Sequence, residues 1–180
     1  MRKVILAVGL SLDGYIARPD GAIDFLFMPK DCSMASLFAA VDTAIMGRKS
    51  LEAGLKMGGG SLPKTHMMVY VFSRSQLPGE KDGFTYVNES PASFVTKLRK
   101  RRGKDIWLMG GGELAREFLK ADLIDELHLG IVPVLLGGGI PLFPSGFLQR
   151  NFALIENKSY LQGMISLKYK STRAKSDRTH

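Results

Sequence analysis

Apolar runs of strand length alternate along this chain with stretches whose apolar residues recur at helical spacing. That pattern predicts an α/β fold rather than an all-α or all-β one. The strand candidates are Lys3–Val8, Thr43–Met46, Met67–Phe72, Phe84–Val87, Ile106–Met109, Glu126–Val134, Phe152–Glu156 and Tyr160–Lys170. Several are almost continuously apolar, as strands covered on both faces are. The last alternates instead, with Ile165, Leu167 and Tyr169 against Ser166, Lys168 and Lys170, which reads as a half-buried antiparallel strand. Helices fit between the strands. Asp31 or Ser33 is placed to cap a helix running through Ala40, and Ser90 followed by Pro91 starts a helix that ends at Gly103. A further helix, Glu113–Lys120, begins directly after three glycines. The expected architecture is a mixed, mostly parallel sheet with helices on both faces and a C-terminal antiparallel hairpin.

No internal repeat or linker interrupts this pattern, so a single domain over 1–170 is expected, followed by a polar, basic, frayed tail over 171–180. Gly58-Gly59-Gly60-Ser61 reads as a surface loop before the strand at Met67, with a phosphate-cradling loop as the other reading. A chain of 180 residues with 45% hydrophobic residues can fill one sizeable core. No stretch stays apolar for the roughly 18–20 residues of a membrane helix. Val4–Leu10 follows Arg2 and Lys3 as the core of a signal peptide would. It is short and runs into Asp13-Gly14-Tyr15 without a small-residue cleavage site, so it reads as a first buried strand. The lone Cys32 leaves no disulfide framework and reads as a partly buried thiol, and Trp107 reads as core. His66, His128 and His180 lack metal-ligand spacing with acidic partners, so no metal site is expected. The expected compartment is the cytoplasm.

The net charge of +8 invites a nucleic-acid reading, but the cations are clustered. Lys97, Arg99, Lys100, Arg101, Arg102 and Lys104 lie at the end of one expected helix, where they complement the negative end of its dipole. Lys168, Lys170, Arg173, Lys175 and Arg178 lie in or near the tail. No aromatic residues interleave with them as a stacking surface would require, so no nucleic-acid partner is expected. An anionic cofactor or substrate is the better use of positive charge.

Three strand-end junctions carry the candidate chemistry. Ile106-Trp107-Leu108-Met109 runs into Gly110-Gly111-Gly112 and then a helix opening with Glu113 and Leu114. Such a junction aims unpaired N–H groups and a positive dipole end at an anion such as pyrophosphate, although a tight strand-to-helix turn explains a glycine run equally well. Ile45-Met46-Gly47 passes into Arg48-Lys49-Ser50, two cations and a hydroxyl at a helix start, where an anion would offset their clash with the dipole. Val71-Phe72 passes into Ser73-Arg74-Ser75, and an arginine there offers a planar fork for phosphate and a face for adenine. Each alone also fits a solvated strand end. Three in succession read as a nucleotide crevice at the carboxyl ends of strands.

In order, Met46–Ser50, Phe72–Ser75 and Gly110–Leu114 resemble the NADPH-binding segments of dihydrofolate reductases. Ser11-Leu12-Asp13-Gly14-Tyr15-Ile16-Ala17 and Pro133-Val134-Leu135-Leu136-Gly137-Gly138-Gly139-Ile140-Pro141-Leu142-Phe143 resemble the stand-alone relatives of the RibD C-terminal reductase domain. The resemblance covers about residues 2 to 170 and implies a dihydrofolate-reductase-like fold, NADPH as cofactor, a small heterocyclic substrate and a homodimer. It implies that Gly47, Arg48, Lys49 and Ser50 hold the adenosine side and phosphates, and that Ser73, Arg74 and Ser75 surround the adenine and the ribose 2′-phosphate. Gly110, Gly111, Gly112, Glu113 and Leu114 would cradle the pyrophosphate. Further cofactor contacts are implied at Ala7 and Met109, and at Ser11, Gly14 and Ile16 in a loop that closes over the nicotinamide and substrate. The implied chemistry is hydride transfer to an electron-poor C=N or C=O carbon.

The accompanying proton needs a carboxylate. Pro29-Lys30-Asp31 resembles the Pro-x-Asp that carries it in dihydrofolate reductases, and a buried Asp31 would bind an aminopyrimidine-like face. Asp31 as a helix cap is the alternative. Asp13 is a competing candidate, with a turn role at Asp13-Gly14 as its own alternative, and Asp24 is another competing carboxylate. Departures from the family patterns bear on the substrate. Tyr15 stands where a riboflavin-pathway reductase carries lysine, no Asn-x-Asp-Asp-Pro segment is present, and the signature of a zinc deaminase is absent. Leu127-His128-Leu129-Gly130-Ile131 lacks the threonine that supports the carboxylate in dihydrofolate reductases. A pteridine or pyrimidine reductase is the expectation. The phosphoribosylaminouracil reduction of riboflavin synthesis and a non-catalytic NADP-binding module are the rivals.

Overall fold

Along the chain the elements are β1 (Val4–Ser11), β2 (Tyr15–Ala17), α1 (Ala35–Ala40), β3 (Val41–Gly47), α2 (Arg48–Met57), β4 (Met68–Phe72), β5 (Gly79–Lys81) and β6 (Phe84–Val87). They continue with α3 (Pro91–Lys100), β7 (Asp105–Gly110), α4 (Gly112–Lys120), β8 (Glu126–Val132), β9 (Ile140–Pro141), β10 (Phe152–Ser159), a 3-10 turn (Leu161–Gly163) and β11 (Ile165–Ser171). The structure, a computed structural model, describes residues 1–57 and 66–172. The Gly58–Ser61 loop and the tail residues from Arg173 to His180 lie outside them.

Nine strands form one sheet in the order β10-β11-β8-β1-β7-β3-β4-β6-β5. The six strands from β8 through β6 run parallel, β11 is antiparallel to β8, and β10 and β5 are antiparallel edge strands. Helices cover both faces, as the alternation of strands and helical patterns predicts. Ile5, Ala7 and Trp107 pack on Leu37 of α1, and beside them Met46 and Val71 pack on Leu51 of α2. On the opposite face Val4, Leu6, Ile106 and Leu108 meet Phe94 and Leu98 of α3 and Leu114 and Phe118 of α4. Trp107 is core, as expected: its Nε1 donates to the Ala7 carbonyl at 2.9 Å and its ring meets Phe38 edge-on at 5.7 Å. Ser90 caps α3 by accepting the Ser93 N–H at 3.3 Å, and Lys97, Arg99 and Lys100 fill the last turn.

The departures from expectation have local causes. β8 stops at Val132 because Pro133 has no N–H to give the ladder. The 3-10 turn takes the first part of the expected last strand, so β11 starts only at Ile165. β10 runs on to Ser159 across a bulge at Ile155. α3 ends at Lys100, not Gly103; the place of a side chain on Gly103 is filled by the Asp42 carboxylate and the Arg2 guanidinium. Neither Asp31 nor Ser33 caps α1, which starts after Met34 with no side-chain cap, while the Ser33 hydroxyl accepts the Ala35 N–H at 3.1 Å. Ser171 belongs to β11, and the Thr172 N–H donates to the Asn151 carbonyl at 3.0 Å. No helix among the described residues is long and apolar enough to cross a membrane.

Candidate functional site

Parallel strands end on a common edge, and β7, β3 and β4 are neighbours there. Their register sets Met46 beside Gly110 and Gly47 beside Phe72, so the three junctions singled out in the sequence lie side by side. Gly110 and Gly111 both take positive φ, 107° and 85°, a pair of conformations that only glycine adopts without strain. They turn the backbone out of β7 and into α4, whose first turn carries exposed Glu113, ion-paired to Arg116, and buried Leu114. Gly112 serves another purpose: a Cβ there would run into the Pro141 carbonyl oxygen. The tight-turn reading therefore holds for two glycines of the run, and close packing accounts for the third.

At the neighbouring junction no atom of the described residues other than its chain neighbours lies within 4 Å of where a Cβ on Gly47 would stand. Arg48 is paired to Glu52 at 2.5 Å on its own helix, which offsets part of the clash with the dipole that the sequence suggested an anion must relieve. Lys49 is exposed, and the Ser50 hydroxyl faces Gly111, 2.9 Å from where its Cβ would be. At the third junction Ser73 is buried; its N–H donates to Val87 at 2.9 Å and its Oγ accepts the Gln76 N–H at 3.1 Å, which shapes the turn. Arg74 and Ser75 project exposed from that turn. Met109 is half-buried between the α1 and α2 packing clusters, and Ala7 is buried within the α1 cluster.

The loop from Ser11 to Ala17 is bound to a segment more than a hundred residues away. Leu12 donates to Val134 at 2.9 Å, Leu142 donates to Gly14 at 3.0 Å, and β2, which holds Tyr15 and Ile16, pairs with β9. Asp13 is the staple. One of its carboxylate oxygens accepts the Ser11 hydroxyl at 2.6 Å, and the carboxylate also takes the N–H groups of Leu136 at 3.1 Å and Gly137 at 2.8 Å. The Ser11 hydroxyl, helped by the two amides, holds the Asp13 carboxyl below the usual carboxylate range. Through these contacts Asp13 organises the edge of the site. Its contribution is present above the ordinary carboxylate pKa of about 3.9 and is lost as the pH falls through its lower folded value. Asp13→Ala, which removes the acceptor, is expected to abolish hydrogen-exchange protection of the Leu136 and Gly137 amides at neutral pH. In the parent chain that protection should persist as the pH falls through the range where an ordinary carboxylate protonates.

Asp31 is not buried, contrary to the expectation. It sits exposed, and its oxygens accept the Leu161 N–H at 3.2 and 3.3 Å, because the 3-10 turn before β11 reaches across to it. Cys32 beside it is half-buried and unbridged, as expected. Sequence reasoning missed the stacking of Pro141 on Gly112 and of Ala17 on Gly139, although the late Gly137-Gly138-Gly139 run hinted at a close approach. Among the described residues no cluster of histidine, cysteine and carboxylates has the arrangement of a metal site.

A sequence profile of the RibD C-terminal domain matches residues 2–166. The Bacillus subtilis protein YwjB is 39% identical over 145 residues, covering 79% of this chain and 83% of its own. A solved structure from Shewanella sp. PV-4, assigned provisionally to riboflavin biosynthesis, superposes with a TM-score of 0.82 at 27% identity over 96% of this chain and 100% of its own. A pyrimidine reductase-like protein of Corynebacterium diphtheriae superposes with a TM-score of 0.71 over 96% of this chain and 93% of its own; at 17% identity that likeness is one of fold.

Proposed function

Because the chain belongs to the RibD C-terminal domain family, we propose that it is an NADPH-dependent reductase of a pteridine- or pyrimidine-like heterocycle. The observation that carries this reading is the alignment of Gly47, Ser73 and Gly110 at one edge of three adjacent strands. The residues present fit the cofactor: among the described residues none crowds the Cβ side of Gly47, and the start of α4 lies at the same edge. Bound there, NADPH supplies a hydride from its nicotinamide ring. The N–H groups of the first turn of α4 hold the pyrophosphate, Arg74 grips the 2′-phosphate, and Lys49 adds positive charge beside Gly47. Ser73 contributes the shape of the turn that presents Arg74. Asp13 keeps the Ser11–Ala17 loop against the Pro133–Phe143 segment. Asp31 keeps lone pairs beyond those taken by Leu161 and can accept from an aminopyrimidine edge.

A thermal-shift titration tests the reading. NADPH at about 100 times its dissociation constant is expected to stabilise the fold by about 2.7 kcal/mol, a rise in melting temperature of roughly 5–11 °C for a chain of this size. NADH should give a smaller rise, and no rise with either removes the reductase reading. The assignment of the Shewanella relative favours one second reading, reduction of a phosphoribosylaminopyrimidine of riboflavin synthesis. Oxidation of NADPH on adding that substrate would select it. The acting unit is a cytoplasmic homodimer.

A further inference from the structure

The two clusters of cations in the sequence meet at one edge of the fold. α3 runs back from the carboxyl end of β6, so its last residue, Lys100, lies where the parallel strands begin, and so does the connection to β7 through Arg101, Arg102 and Lys104. β11 runs against β8 and sets Lys170 opposite Glu126, the first residue of β8, so Lys170 stands at the same edge. Thr172, the last described residue, is there too, and residues 173–180 follow it with Arg173, Lys175 and Arg178. This edge is the one opposite Gly47, Ser73 and Gly110.

The carboxylates along it are already engaged. Asp42 is paired to Arg2, Asp125 to Arg99 at 2.5 Å, Glu126 to Lys3 at 2.8 Å and Asp122 to Arg150 at 3.2 Å. Asp105 accepts the Lys3 backbone N–H at 2.8 Å. Lys104 donates its Nζ to the Ala39 carbonyl at 2.9 Å rather than to a carboxylate. Lys100, Arg101, Arg102 and Lys170 are exposed, and no carboxylate among the described residues pairs with them. Cations gathered without counter-charge focus a positive field on that edge.

We propose that this edge binds the phosphate backbone of duplex DNA, a role that goes beyond the reductase reading and does not rest on it. From β11 through β8 and β1 to β7 there are three strand spacings, about 14 Å. At about 3.4 Å of helix axis per phosphate, roughly four phosphates of one strand pass over that span, which suits the unpaired cations along it. The absence of interleaved aromatic residues argues against stacked single strands. It is no obstacle to a duplex, whose phosphates need only positive charge and hydrogen-bond donors. A membrane surface wants apolar side chains beside the cations, and residues 100–105 and 170–172 carry none. Backbone contacts read no base, so the binding is expected to be independent of sequence.

Fluorescence anisotropy of a labelled duplex DNA oligonucleotide, titrated with the full chain, is the test. Four contacts predict a slope of log K against log salt of about −3.6, a loss of affinity of roughly a hundredfold between about 50 and 200 mM salt. Lys100→Gln, Arg101→Gln and Arg102→Gln together should reduce the magnitude of that slope by about 2.7, and Lys170→Gln alone by about 0.9. Melting temperatures confirm that both variants fold, and both should respond to NADPH as the parent chain does. Exchange of Lys49 and Arg74, at the opposite edge, should leave DNA binding unchanged. No binding at the lower salt overturns the proposal. So does binding that the triple exchange leaves intact, or that is lost with Lys49 and Arg74. Preference for duplex RNA, or for phosphatidylserine vesicles, over duplex DNA gives the edge another partner and overturns it equally.

Discussion

Replacing Arg2 by alanine is expected to cost about 3 kcal/mol, a fall in melting temperature of roughly 6–12 °C for a chain of this size. Arg2 is a charged side chain that is almost fully buried, 4% exposed, at the end of the sheet opposite the candidate site. Its guanidinium pairs with Asp42, donates to the Thr43 hydroxyl at 2.6 Å and to the Lys104 carbonyl at 2.5 Å, and so ties β1 to the starts of β3 and β7. The Lys104 N–H completes the group by donating to Asp42 at 2.7 Å, and Gly103 is the residue that leaves room for it. Removing the cation leaves the Lys104 carbonyl without that donor and Asp42 with only the Thr43 hydroxyl and the Lys104 N–H, and that penalty exceeds the worth of any one bond. Asp42 keeps a third of its side chain in water, which holds the expected loss near the lower end for buried pairs. Lys3→Ala is the comparison. Lys3 reaches Glu126 at 2.8 Å but is half exposed, so its loss should cost under about 1 kcal/mol. Chemical denaturation of the two variants side by side separates the outcomes; equal effects would mean that Arg2 is not the tie it is drawn to be.

The same two ends of the sheet show what was legible in the sequence. The parallel strands could be read because both of their faces are covered, which leaves long apolar runs, and α3 could be read because Ser90-Pro91 caps it from the residues next to it. The three junctions were legible because the glycines, hydroxyls and cations lie within a few residues of each strand end. That the junctions stand side by side is a matter of strand order, and one chain's pattern does not state which strands are neighbours. β2 and β9 were invisible: they are three and two residues long, and what holds them is Asp13 reaching Leu136 and Gly137 across more than a hundred residues. β5 has no buried residue to mark it. Asp31 was misread as buried for the same reason, since local sequence does not reveal that Leu161 arrives to take its oxygens in the open. Arg2 looked like one of many cations, and only the fold shows that it is inside.

Glycine, the clearest sign in the sequence, separates folding from binding at this site. Gly112→Ala is expected to cost about 3 kcal/mol, near the upper end for overpacking, because the added methyl group meets backbone rather than a side chain that can swing away. The Pro141 carbonyl lies in its path and the Pro144 Cδ stands 3.3 Å off, so either α4 or the β9 segment must move. Moving that segment pulls on β2 and on the amides that Asp13 holds, so the loss should spread to the whole edge of the site. Gly47→Ala is the opposite case. Gly47 does not need a positive φ, and its Cβ would meet nothing within 4 Å among the described residues, so the fold should tolerate the methyl group with little change in melting temperature. If the open space is where the cofactor lies, that methyl group should nevertheless weaken NADPH binding by about tenfold or more, close to 1.4 kcal/mol. Measuring the melting temperature of both variants with and without NADPH reads the two effects apart. An unstable Gly112 variant beside a stable Gly47 variant that no longer responds to NADPH fits a cofactor seated over β3. A Gly47 variant that binds NADPH as the parent does would move the cofactor away from that strand, and with it the roles given to Lys49 and Arg74.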